Sequence, residues 1–138
     1  MNLFVFSNMA VKEVYAGTTK EWRSWLKKNH KKEKTVKLIV YKNHTGKPYM
    51  THNQAMCEAI CFGWIDTTIK KLDEDRFIRT FVRRTEKSKW GKNTLKYARE
   101  LIKKKKMSVF GLKMYKLGKK LFLHMIKTYQ RRLKRLWF

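Results

Sequence analysis

Glu58 and Asp66 are the carboxylates whose placement first suggests chemistry, because they flank the tight Gly63-Trp64 step. Two carboxyl groups divide acid and base roles when their surroundings separate their pKa values. Nothing else in the sequence completes such a site. Ser88 has no evident base beside it, and neither a Gly-x-Ser-x-Gly elbow nor a phosphate-binding loop is present. The plainer expectation is that Asp66 bonds the local turn and Trp64 fills the core. The sequence therefore predicts a protein that is not an enzyme.

A metal site can be drawn from His44, His52, Cys57 and Cys61, since imidazole and thiolate suit zinc and a four-residue helical spacing turns two ligands the same way. The spacings match no standard finger. Small buried cysteines are common in cores, so packing is the expected role and no metal or cofactor is predicted. Two cysteines four apart in a helix are also a poor disulfide, as expected of reduced thiols.

The basic residues carry the sharper signal. The 138-residue chain holds 35 Lys and Arg against 10 Asp and Glu, a formal charge of +25. Most of these cations have no acid to pair with, and such a surface repels itself until a dense polyanion approaches. The 38 residues after Glu100 hold 13 cations and no carboxylate: Lys103, Lys104, Lys105, Lys106, Lys113, Lys116, Lys119, Lys120, Lys127, Arg131, Arg132, Lys134 and Arg135. An ordinary solvated face would mix both signs. A second basic stretch supplies Arg84, Lys87, Lys89 and Lys92 around Trp90. Cations meet phosphates and an indole can stack on a base, although a buried Trp90 is the commoner outcome.

These residues must be held by a folded domain. Five Trp, six Tyr and eight Phe are more than a disordered basic tail carries, and the length suits one domain with a real core. Leu3 to Phe6 suggests a short strand. Thr18 or Thr19 can cap a helix from Lys20 to His30 with Trp22, Trp25 and Leu26 on one face. Val36 to Tyr41 reads as a strand and His44 to Pro48 as a loop. A helix from Thr51 or Asn53 should stop at Gly63. Alternation through Ile65, Thr67 and Ile69, a turn at Asp73 to Asp75, and Phe77 to Val82 suggest a hairpin.

Asn93 or Thr94 can cap a helix carrying Leu95, Ala98, Leu101 and Ile102 on its buried face. Ser108 can cap the next, with interruptions expected near Gly111 and Gly118. From Lys119 the residues Phe122, Met125, Ile126, Tyr129, Leu133, Leu136 and Trp137 form one apolar face of an amphipathic helix. No apolar run approaches the roughly 20 residues that span a bilayer. Met1 to Phe6 is too short for a secretory segment, so a cytoplasmic location is expected.

The run Glu58-Ala59-Ile60-Cys61-Phe62-Gly63-Trp64-Ile65-Asp66, followed by Phe81, Arg83, Ser88, Trp90 and Asn93, resembles the signature of the YdeI/OmpD-associated, or bacteriocin-protection, family. Glu21 to Leu26, Tyr41-Lys42 and Thr45 to Pro48 resemble its opening, so the likeness runs from about Glu21 to Gly111. Val82 stands where that family usually has Pro. The resemblance implies a role in resistance to envelope stress and antimicrobial peptides. It marks Glu58, Trp64, Asp66, Arg83, Ser88, Trp90 and Asn93 as motif residues that are structural or line a pocket.

The reading is an α+β fold: a small antiparallel sheet packed by helices over residues 1–111, and a basic amphipathic helical extension over residues 112–138. The expected partner is nucleic acid, RNA ahead of DNA, held by sequence-nonspecific phosphate contacts, with the ribosome or another ribonucleoprotein as its setting. Two alternatives remain open, compaction of DNA and binding of the last helix to an anionic membrane surface. An RNA binder should bury the helix's apolar face on its own domain, whereas a membrane binder leaves it uncovered.

Overall fold

The computed structural model describes residues 10–137. Elements follow in the order β1 (Lys12–Tyr15), α1 (Thr19–Asn29), β2 (Thr35–Tyr41), a single 3-10 turn (Asn43–Thr45), α2 (His52–Cys61), β3 (Trp64–Lys71), β4 (Arg76–Arg83), α3 (Lys92–Lys103) and α4 (Val109–Trp137). The fold is α+β. The strand expected at Leu3 to Phe6 lies outside the described residues.

Local signals account for most element ends. Thr18 caps α1, its hydroxyl accepting from the Glu21 N–H at 3.2 Å, while the Glu21 carboxylate accepts from Gly17 N at 3.0 Å. At α2 the capping is reciprocal: Thr51 Oγ1 accepts from Gln54 N at 3.2 Å and Gln54 Oε1 accepts from Thr51 N at 2.9 Å. Gly63, at φ 74°, takes the left-handed conformation that ends α2 as expected. α3 departs from expectation, because Gly91 and neither Asn93 nor Thr94 occupies the cap position, with no side-chain cap bond.

The chain forms two compact units, one comprising the chain up to Ala59 with Trp64–Arg83, the other Ile60–Gly63 with Arg84–Phe138. The first contains the sheet, in the order β1-β2-β4-β3. β2, β4 and β3 are antiparallel neighbours, but β1 runs parallel to β2, so the sheet is mixed where an antiparallel one was expected. A parallel pair needs a crossover, and α1 provides it. The sequence Lys-Glu-Val-Tyr gives β1 no apolar alternation, and Tyr15 stays exposed.

β2 alternates as the sequence predicts, with Val36, Leu38 and Val40 buried. Trp22 stacks on Trp25 at 5.5 Å between ring centroids and meets Phe81 at 5.1 Å, while Trp25 meets Trp64 edge-on at 5.9 Å. Both fully buried indoles have their N–H satisfied, Trp22 donating to Ala55 O at 3.0 Å and Trp64 to His30 O at 3.3 Å. A register shift between Asp66 and Thr68 breaks the β3 ladder, and the strand beyond it is exposed, Ile69 included.

The second unit is helical. Leu95, Ala98 and Leu101 form the buried face of α3, and Gly111, Met114, Tyr115 and Gly118 that of α4. α4 is one continuous helix of 29 residues. The interruptions expected at Gly111 and Gly118 are absent, and the boundary expected after residue 111 falls inside the helix. These glycines serve close approach instead: a β-carbon on Gly111 would lie 2.0 Å from Cys61 O, and one on Gly118 2.0 Å from Trp90 Cδ1. Ser108 caps α4, donating to Cys61 O at 2.7 Å and accepting from Gly111 N at 3.0 Å.

Candidate anion-binding surface on the C-terminal helix

Helical spacing carries the buried seam of α4 onward along one face. Gly111, Met114 and Gly118 lead by steps of three or four residues to Phe122, Met125, Tyr129, Leu133 and Leu136. The pattern repeats every eleven residues, nearly three whole turns, so the stripe runs almost straight along the helix. Only its first part is covered. Among the described residues after Gly118 none is buried; Met125 is 52% exposed, Tyr129 62% and Leu136 78%. Phe122, Ile126 and Leu133 are half-buried, so the apolar face expected to pack on the protein's own domain is only partly covered over its last five turns.

The opposite face is cationic. Lys113, Lys116, Lys119, Lys120, Lys127, Arg131, Lys134 and Arg135 are all exposed. The helical unit holds 19 of the 35 cations and only 2 of the 10 acids, so it carries most of the net charge. Lys103, Lys104, Lys105 and Lys106 are exposed as well, at the turn that ends α3. Lys105 takes φ 58° there, with Lys106 N donating to Leu101 O at 3.0 Å and Lys105 N to Ile102 O at 2.9 Å. That is a helix-ending motif that normally uses glycine.

The second basic stretch behaves unevenly. Lys87, Lys89 and Lys92 are exposed, but Arg84 is 3% exposed, its guanidinium lying 4.0 Å from the Trp90 ring centroid and donating to Lys89 O at 3.1 Å. Arg84 is thus a packing residue, contrary to its expected role as a phosphate contact. Trp90 is buried too, between Arg84, Gly118 and Tyr115, so base stacking on its faces is displaced by the core role. The stretch meets α4 at a groove of about 510 Å³. Lys87, Lys89 and Arg132 line it beside Leu121, Phe122 and Met125. The sequence alone points to the cations and to Trp90. The apolar face read from the helical spacing already holds Phe122, Met125 and Tyr129, but nothing in the sequence singles out Leu121, His124 or Thr128, which lie off that face.

The other motif residues are engaged separately. Glu58 accepts from Arg23 at 3.0 Å, and Asp66 meets His52 at 2.9 Å and Arg79 at 3.6 Å. Burial pulls the Arg79 guanidinium down from its ordinary pKa, and the Asp66 charge opposes that shift. Arg83 donates to Lys31 O at 2.8 Å, and Ser88 Oγ accepts from Thr85 N at 2.8 Å in a loop turn. Asn93 is exposed in the first turn of α3. His44 meets Asp75 at 2.9 Å, so both histidines drawn into the metal alternative have carboxylate neighbours. No three metal-binding side chains converge among the described residues.

Residues 14–114 match a family described as a domain of unknown function, DUF8412. This chain belongs to that family. No curated protein and no solved structure matches the chain. In this DUF8412 protein the matched stretch begins within β1, includes the rest of the sheet, α3 and the start of α4, and stops at Met114. The uncovered stripe therefore lies beyond the matched residues.

Proposed function

We propose that the protein binds anionic membrane surfaces through α4, whose apolar stripe enters the headgroup boundary while its cations face the lipid charges. The observation that carries this reading is the uncovered stripe after Gly118, on a helix without a single acid. A helix with Trp, Phe and Leu on one side and Lys and Arg on the other lies in an interface and does not cross it. No helix of the described residues is long and apolar enough to cross a membrane. Residues 119–137 would cover about 28 Å of surface at the helical rise.

Charge decides the choice of occupant. Each Lys or Arg near an anionic leaflet contributes on the order of 1 kcal/mol, and the long stems let cations at the edge of the stripe reach the headgroups. A second copy of the same helix would set like charges side by side. The proposed role is binding without catalysis. It also accords with the envelope-stress role implied by the resemblance to the YdeI/OmpD-associated family.

A second reading rests on the polar face alone. The exposed cations of α4 and of Lys103 to Lys106 would also serve sequence-nonspecific phosphate contacts with RNA, and on that reading the stripe would need a separate cover. Co-sedimentation separates the two. With mixed phosphatidylglycerol and phosphatidylcholine vesicles at low salt, the full chain should pellet and the fluorescence of Trp137 should shift to the blue; pure phosphatidylcholine should retain little. If anionic vesicles leave the protein in the supernatant while RNA shields α4 from protease, the membrane reading fails and the RNA reading takes its place.

A further inference from the structure

We infer that the groove between the Lys87 to Trp90 loop and α4 holds a single anionic phospholipid, its phosphate among Lys87, Lys89 and Arg132 and an acyl chain along Leu121, Phe122 and Met125. The inference rests on the membrane-surface reading and deepens it, naming the lipid class and the place where one molecule is gripped. At about 510 Å³ the groove is of the size that takes a small ligand.

Arg132 is the residue that points to a ligand with a charged end. Other cations of the last five turns lie on or near the polar face, but Arg132 follows Met125 by seven residues and Tyr129 by three, which sets it at the edge of the apolar stripe. There it lines the groove together with Lys87 and Lys89 from the loop, so three cations rim an apolar wall. With no carboxylate lining the groove, the complementary ligand is an anion with an apolar body.

A nucleotide fits the same walls less well. Its base would lay hydrogen-bonding edges against Leu121 and Met125, where unpaired polar groups are costly. The indole on which it would stack is already covered by Arg84 and Gly118. An acyl chain has no such edges to satisfy.

The test titrates the full chain with short-chain phosphatidylglycerol kept below its micelle-forming concentration, read by chemical-shift changes in α4. The expected result is saturable one-to-one binding, at least tenfold tighter than for phosphatidylcholine of equal chain length or for inorganic phosphate. Arg132→Ala should weaken it about tenfold. Thr128→Trp, which fills the groove from a lining position outside the apolar stripe, should abolish it while leaving sedimentation with anionic vesicles in place. Equal affinity for the zwitterionic lipid or free phosphate, indifference to Thr128→Trp, or tighter occupation of the groove by a short oligoribonucleotide would each overturn the assignment. Vesicle binding without groove binding sinks this inference alone. Groove binding without vesicle binding sinks the membrane reading alone.

Discussion

Gly118 lies against the indole of Trp90 so closely that a β-carbon there would sit 2.0 Å from Cδ1. This contact sets how near α4 comes to the loop that carries Lys87 and Lys89, and hence the floor of the groove. Gly118→Ala should lower the stability of the helical unit by about 1–3 kcal/mol through overpacking. Alanine's intrinsic helical advantage of about 1 kcal/mol offsets part of that cost and does not reverse it. Denaturant unfolding followed by tryptophan fluorescence measures the change. An unaltered midpoint would show that Trp90 yields freely.

The Ser108 hydroxyl joins two groups at the start of α4, donating to Cys61 O at 2.7 Å and accepting from Gly111 N at 3.0 Å. Ser108→Ala leaves that N–H without its cap and should cost about 1–2 kcal/mol. Thermal unfolding by far-ultraviolet dichroism would register this as a lower midpoint. Ser108→Thr, which keeps the hydroxyl, should retain most of the parent's stability.

Lys105 occupies a backbone conformation, φ 58°, that disfavours a side chain. Lys105→Gly removes this strain and should stabilise the protein by about 0.5–1 kcal/mol, provided the lost cation near the end of α3 contributes less. A higher midpoint in urea checks the prediction, and a lower one would mean that the helix-end charge outweighs backbone strain.

Asp73 holds the β3–β4 turn, accepting from Arg76 Nε at 3.0 Å and NH2 at 2.7 Å and from the backbone N–H of Asp75 at 2.9 Å. The bond from Arg76 is the main cause that keeps its carboxyl below the ordinary 3.8. A carboxyl depressed on folding adds stability that is fully present above its unfolded pKa and is lost as pH falls through the lower folded value. Asp73→Asn should therefore destabilise the protein at neutral pH and flatten the acid limb of its stability curve. Unfolding midpoints at pH 7 and below pH 3 compare the two, and a constant difference between them would remove Asp73 from the account.

Much of the sheet unit is legible in the sequence, and the reasons lie in period. Val36, Leu38 and Val40 alternate because one face of β2 is buried, and Trp22 with Leu26 keeps helical spacing because one face of α1 is. β1 is invisible there, since its pairing with β2 comes from the crossover through α1 and not from any alternation in Lys-Glu-Val-Tyr. At the candidate site the cations are legible from composition alone. Which of them face solvent is not: Arg84 and Lys87 look alike in sequence, yet the first is buried beside Trp90 and the second is exposed. Gly111 and Gly118 mislead for a similar reason, because a glycine that admits a close neighbour against a helix has the same letter as one that breaks the helix.

Leu136 and Trp137 offer the sharpest separation of folding from function, being 78% and 79% exposed on the described helix. In a packed core, replacing such residues by serine would cost several kcal/mol. Here Leu136→Ser with Trp137→Ser should leave the unfolding free energy within about 0.5 kcal/mol of the parent, since little is buried to lose. Membrane association should respond differently, because each side chain transfers apolar area from water only when the helix meets the lipid, at about 25 cal/mol per Å². Partition onto anionic vesicles should fall tenfold or more, while the affinity for RNA at the same salt should hardly change, because neither substitution removes a charge. Loss of stability without loss of partition would place these residues in the fold of the chain and leave the lipid interface without its apolar half.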